Sequence, residues 1–148
     1  MSRTIYDPGA RAALLARLDR LDPKAPARFG TLTAPRMLAH LIDAVRMALG
    51  DLPIPPRKTF LSNRLVRYLI IHVFPFPKGA PTAPALLARA PDTWASDVAA
   101  LKAVIERAAA QANGGTWQAH PAFGVLSAAD WGVLIYKHSD HHFTQFGV

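Results

Sequence analysis

The sequence predicts an all-α protein, and three observations carry that prediction. Apolar residues recur at helical spacing in four or five segments, Pro- and Gly-rich stretches separate those segments, and period-two alternation of β-branched residues occurs nowhere. At 148 residues the chain reads as one domain, 1–148, able to bury a core without staples. It carries no internal repeat and no low-complexity tract.

The first helix is expected from about Pro8 to Leu21. Leu14, Leu15, Leu18 and Leu21 form its apolar stripe, Arg11, Arg17 and Arg20 turn away, and Pro23 and Pro26 end it. Thr33 suits the N-cap of a second helix with Pro35 in its first turn, where a missing N–H costs nothing. That helix runs through Met37, Leu41, Ala44 and Met47 to Gly50. After Pro53, Pro55 and Pro56 comes a short apolar helix, roughly Phe60 to Val73, closed by Pro75 and Pro77. The stretch from Phe74 to Pro91 holds prolines at 75, 77, 81, 84 and 91 and reads as a long ordered loop of the kind that covers a site. Asp92 is expected to cap a helix from about Thr93 to Ala112, with Val98, Leu101, Val104 and Ile105 at helical spacing and Asn113, Gly114 and Gly115 as its stop. The last helix starts at Ser127, with Asp130 three residues on in a capping-box arrangement, and continues to about Phe146.

Composition excludes several chemistries. With no cysteine there are no disulfides, thiolate metal sites or cysteine nucleophiles, so any metal must be held by imidazole and carboxylate. A di-iron carboxylate centre needs several inward glutamates, and the chain has one, Glu106. Met1 to Ala10 lacks a secretory pattern, and the most apolar run, Tyr68 to Phe76, is far shorter than the roughly 20 residues a bilayer requires. The protein is therefore expected to be soluble and cytoplasmic, with no membrane partner. A formal charge of +7 arises from 17 Lys+Arg against 10 Asp+Glu, but the basic residues are spread along the chain without a cationic, aromatic-interleaved run. That pattern reads as a solvated basic surface, compatible with a small anionic substrate, and no nucleic-acid partner is expected.

The chemistry-bearing residues gather near the C-terminus. His138 and His142 lie one helical turn apart, within about 40° of each other around the axis. The same face carries Trp131, Leu134, Ile135 and Gln145, so it must look into the protein. Two inward imidazoles at this spacing make half of a metal site, and the intervening Ser139, Asp140 and His141 lack the glutamate of the H-E-x-x-H metalloproteases. His40, on the core side of the second helix beside Met47 and Ala44, is the best third ligand, with Asp43 one turn on as a fourth ligand or an orienting partner. Three imidazoles leave a position for water or substrate. His72 and His120 are given no metal role, and His141 lies on the flank.

Four segments also carry a family likeness. The run His120-Pro-Ala-Phe-Gly-Val-Leu-Ser-Ala-Ala-Asp-Trp-Gly, the run from Tyr136 through His138, His141 and His142 to Gly147, the segment Arg28 to His40, and Pro77 to Pro84 together resemble an uncharacterised branch of the DinB/YfiT-like superfamily. The resemblance implies a DinB-like four-helix bundle, here with an extra short helix and the Pro-rich loop, often dimeric. It also implies a divalent ion (zinc, nickel or iron) held by His40, His138 and His142. Characterised members of the superfamily include thiol-dependent transferases and isomerases. The function expected is thus a metal-dependent thiol (S-)transferase or related hydrolase or isomerase acting with a small thiol or anionic substrate. Asp43 or Gln145 would orient a ligand, and Lys78 or Arg46 would meet an anionic group. The alternative is a non-catalytic ligand-binding or stress-associated bundle, in keeping with the absence of any other committed acid, base or nucleophile.

Overall fold

Short polar caps and prolines decide where the helices of this chain begin. The structure is a computed structural model that describes residues 2–112 and 114–148. Asp7 accepts a hydrogen bond from the Ala10 amide and Pro8 opens helix α1 (Pro8–Asp19). Thr33 does the same for α2 (Ala34–Ala48), its hydroxyl accepting from the Arg36 amide with Pro35 in the first turn. A short 3₁₀ turn, Phe60–Ser62, precedes α3 (Arg64–Tyr68), which widens into a single π turn, Leu69–Val73. Another 3₁₀ turn, Pro84–Leu87, lies ahead of α4 (Trp94–Ala110), and α5 (Ala128–Gln145) follows. Among the described residues there is no strand, only an isolated bridge between His120 and Gly124.

The four longer helices pack on one another. Helix α2 lies against α4, α5 and the Pro84–Leu87 turn, while α1 lies against α5 and α4. Helix α2 is buried almost all round, from Met37 through Val45 and again at Met47 and Ala48, so it forms the centre of the molecule. Leu14, Leu18, Leu38, Leu41, Leu101, Ile105, Trp131 and Phe143 fill the space between these helices, each worth about 1.5–3 kcal/mol of apolar burial. Ile5 is fully buried, and its amide donates to the Gly132 carbonyl at 3.1 Å. A side chain at 132 would not be tolerated, since its Cβ would fall 2.3 Å from the Tyr6 ring. Among the described residues, no helix is long and apolar enough to cross a membrane.

Several boundaries differ from the sequence expectation, each for a local reason. The single helix expected over Phe60 to Val73 is broken at Asn63, whose side chain accepts from the Leu65 and Val66 amides and starts a new helix there. Helix α4 is capped by Thr93 rather than Asp92: the Thr93 hydroxyl takes the Ser96 amide, and Asp92 instead accepts from the Thr93 amide. It stops at Ala110, and of the residues expected to end it, Asn113 lies outside the described residues. Arg17 does not turn away from the protein. Its guanidinium pairs with Asp140 and donates to the Val148 carbonyl at 2.8 Å, tying α1 to the end of α5. Within the proline-rich stretch from Phe74 to Pro91, the Pro84–Leu87 turn buries Leu86 against α2.

Candidate metal centre

Helices α2 and α5 bring His40, His138 and His142 together. One ring nitrogen from each lies within 4.8 Å of the others, and among the described residues no other cluster of this kind occurs. His138 Nε2 is 3.1 Å from His40 Nε2 and 3.1 Å from His142 Nε2. The rings do not stack: His40 stands at 81° to His138 and 76° to His142, so their edges converge.

The outer nitrogens fix which edge carries the lone pair. His40 Nδ1 lies 3.1 Å from the Leu86 carbonyl, which can only accept, so Nδ1 bears the proton. His142 Nδ1 lies 2.7 Å from Gln145 Oε1, and Gln145 Nε2 in turn donates to the Phe29 carbonyl at 2.6 Å, which orients the amide. His142 is therefore also protonated on Nδ1. Both rings aim an Nε2 lone pair at His138 Nε2, and a single N–H on His138 satisfies only one of them. Gly30 makes room for this arrangement; it holds φ +75°, and a Cβ there would sit 2.7 Å from Gln145 Nε2.

Protonation does not resolve the conflict either, because burial keeps the rings neutral. His142 is pushed down to about 4, first by burial and further by His40 and His141. His138 is lowered well below the ordinary histidine range by burial and by the neighbouring imidazoles, and His40 is lowered by burial. The donor set fits a divalent cation. Tetrahedral coordination with metal–nitrogen bonds of about 2.0–2.1 Å puts ligand nitrogens about 3.3 Å apart, close to the two observed separations. The orienting acceptors on Nδ1 match those that usually hold metal-ligating histidines.

Asp43 does not take either place expected of it. Its buried carboxylate is held by Arg89, whose Nε lies 3.1 and 3.2 Å from its two oxygens, and more loosely by Arg46 at 3.4 Å. The Leu86 carbonyl orients His40 in its stead. Arg46 thereby places its guanidinium against Asp43. Gln145 does orient a ring, that of His142. Lys78 places its ammonium 4.7 Å over the Phe29 ring, and Phe29 and Phe76 both pack against His141 on the flank. Phe76 also stacks on His138, with ring centroids 5.2 Å apart and planes at 16°. Phe29, Phe76 and the Leu86 carbonyl were missed by the residue pattern; a long proline-rich loop expected to cover a site was the one signal pointing to the latter two.

His72 and His120 contribute no nitrogen to the cluster. His72 Nε2 lies 2.7 Å from Asp130, beside an open groove lined by Tyr6, Tyr68 and Val133. His120 Nδ1 accepts from the Ala122 and Phe123 amides, its ring packs against Trp131, and burial pushes it down to about 4.

A family model described as a protein of unknown function (DUF1569) matches residues 9–147. No curated protein and no solved structure matches the chain.

Proposed function

We propose a metal-dependent function for this chain, which belongs to the DUF1569 family of proteins of unknown function. In this reading His40, His138 and His142 hold one divalent ion, zinc, nickel or iron, in a bundle of DinB-like build. The observation that carries it is the convergence of three Nε2 atoms, two of them fixed as lone-pair donors by the Leu86 carbonyl and Gln145. The DinB-like reading is supported by the packing of α1, α2, α4 and α5 and by the division of the ligands, one on α2 and a pair on α5.

An ion held by three imidazoles lowers the pKa of a thiol or water joining it, and so supplies a nucleophile near neutral pH. The chain's own residues do the rest. Gln145 and the Leu86 carbonyl hold the rings in one tautomer, Phe76 shields the face of His138, and Lys78 offers a cation to an anionic substrate group. The activity proposed is transfer to or from a small thiol, or a related hydrolysis or isomerisation, in a cytoplasmic protein that forms a homodimer.

Elemental analysis of untagged protein beside His138→Ala and His142→Ala tests the site. The expected result is about one divalent ion per chain, lost in both variants while far-UV circular dichroism stays helical. Metal-free wild-type protein that resists reconstitution with zinc, nickel and iron would sink the reading.

A further inference from the structure

Charge and exposed apolar surface coincide in one part of this chain. Between Asp51 and Asp92 lie forty residues with no acidic side chain and six cations: Arg57, Lys58, Arg64, Arg67, Lys78 and Arg89. All ten acids of the protein fall outside that segment. The same segment supplies Phe60, Leu65, Tyr68, Val73 and Phe74, whose exposures run from 54 to 78%. Val125, 77% exposed, joins them through the loop that binds the segment: Arg67 donates to the Val125 carbonyl at 2.9 Å, and the Thr59 hydroxyl to the Ala122 carbonyl. Single exposed apolar residues need no explanation, but a cluster of large ones does.

The exposure is built in. Ile71 is buried, His72 is tied to Asp130, and Lys137 donates to the carbonyls of Ile70, Ile71 and Phe74 at the end of the π turn. Helix α3 and its π turn are thus fixed from behind by α5, with Leu65, Tyr68 and Val73 left outside. Arg57, Lys58 and Arg64 are exposed around them.

We propose that this face docks on an anionic lipid surface, with Phe60, Leu65, Tyr68, Val73 and Phe74 entering the interface and Arg57, Lys58 and Arg64 meeting the headgroups. The combination is that of interfacial helices, where modest apolar insertion and electrostatic attraction act together. Charge complementarity chooses this occupant. A second copy facing its own patch would set Arg57, Lys58 and Arg64 against the same three cations, and the aliphatic Leu65, Val73 and Val125 beside Phe60, Tyr68 and Phe74 suit insertion among lipid chains. The docking is peripheral and independent of the histidine cluster.

Flotation of the full chain with vesicles tests it. Binding is expected to phosphatidylcholine vesicles containing phosphatidylglycerol, not to phosphatidylcholine alone, and is expected to weaken as salt rises. Replacing Arg57 and Lys58 together by alanine should weaken it by roughly 25-fold, about fivefold per cation. Phe60→Ser with Leu65→Ser should abolish it with the helical spectrum intact, and His138→Ala should bind as wild type. Absence of binding to the anionic vesicles at low salt would overturn the proposal. So would a dimer in sedimentation velocity that Leu65→Ser dissociates, since the patch would then belong to a second copy.

Discussion

At the scale of single residues, the tautomer of His142 depends on one amide. Gln145 accepts from its Nδ1 and is itself held by the Phe29 carbonyl, so Gln145→Leu removes the acceptor and the anchor together. Orienting partners of this kind are worth about 10- to 100-fold in metal affinity. Gln145→Leu is expected to weaken zinc binding by that range in a chelator competition while His40 keeps its bond to Leu86. An unchanged affinity would mean that packing alone orients the ring. Asp43 shows the limit of what residue spacing reveals. One turn from His40 it looked available to the site, yet Arg89, 46 positions away in sequence, holds both of its oxygens. Helical periodicity gives a residue's face, not the partner that another segment brings to it. The Leu86 carbonyl was hidden for a different reason, since a backbone acceptor has no signature in residue type.

Local signals decide the elements, and they were legible where they agreed with one another. Helix α5 was read nearly to its ends because a capping box opens it and an apolar face persists along it; Trp131, Leu134, Ile135, His142 and Gln145 are all buried as that face required. The apolar run from Phe60 to Val73 suggests one continuous helix, but Asn63 offers its carboxamide to the Leu65 and Val66 amides and restarts the helix there. The box on α5 is tied to more than its own helix: Asp130 holds the Ser127 amide and hydroxyl and also receives His72. Ser127→Ala removes the acceptor for the Asp130 amide and leaves the link to His72. The cost expected is about 1 kcal/mol, a fall of about 3 °C in melting temperature by calorimetry. A larger fall, with loss of the His72 contact in the histidine NMR spectrum, would show that the cap and the π turn unfold as one unit.

Across the whole molecule, buried neutral histidines make folding a pH-dependent equilibrium. His120 and His142 sit near 4, and His40 and His138 are lowered in the same direction, each first by burial. In the unfolded chain these rings titrate near 6.5, so between about pH 6.5 and 4 the unfolded state binds more protons than the folded one. Stability from these groups is therefore complete above about pH 6.5 and lost as the pH falls toward 4. The carboxylates act in a separate window. Asp130 is held below its ordinary value: burial opposes the shift, but hydrogen bonds from His72 and Ser127 outweigh it, so its contribution fades only below about pH 4. Urea titrations of metal-free protein at about pH 7 and about pH 5 should show a lower midpoint at the acid value, with His120 alone contributing about 2 kcal/mol of the loss. His120→Asn, which keeps a side-chain acceptor for the Ala122 and Phe123 amides, should reduce that loss and leave the rest to the three clustered rings and to His141, which burial also lowers. If the midpoint were the same at both pH values, these rings would not be excluded from water in solution, and the neutral donor set on which the proposed metal centre depends would fall with them.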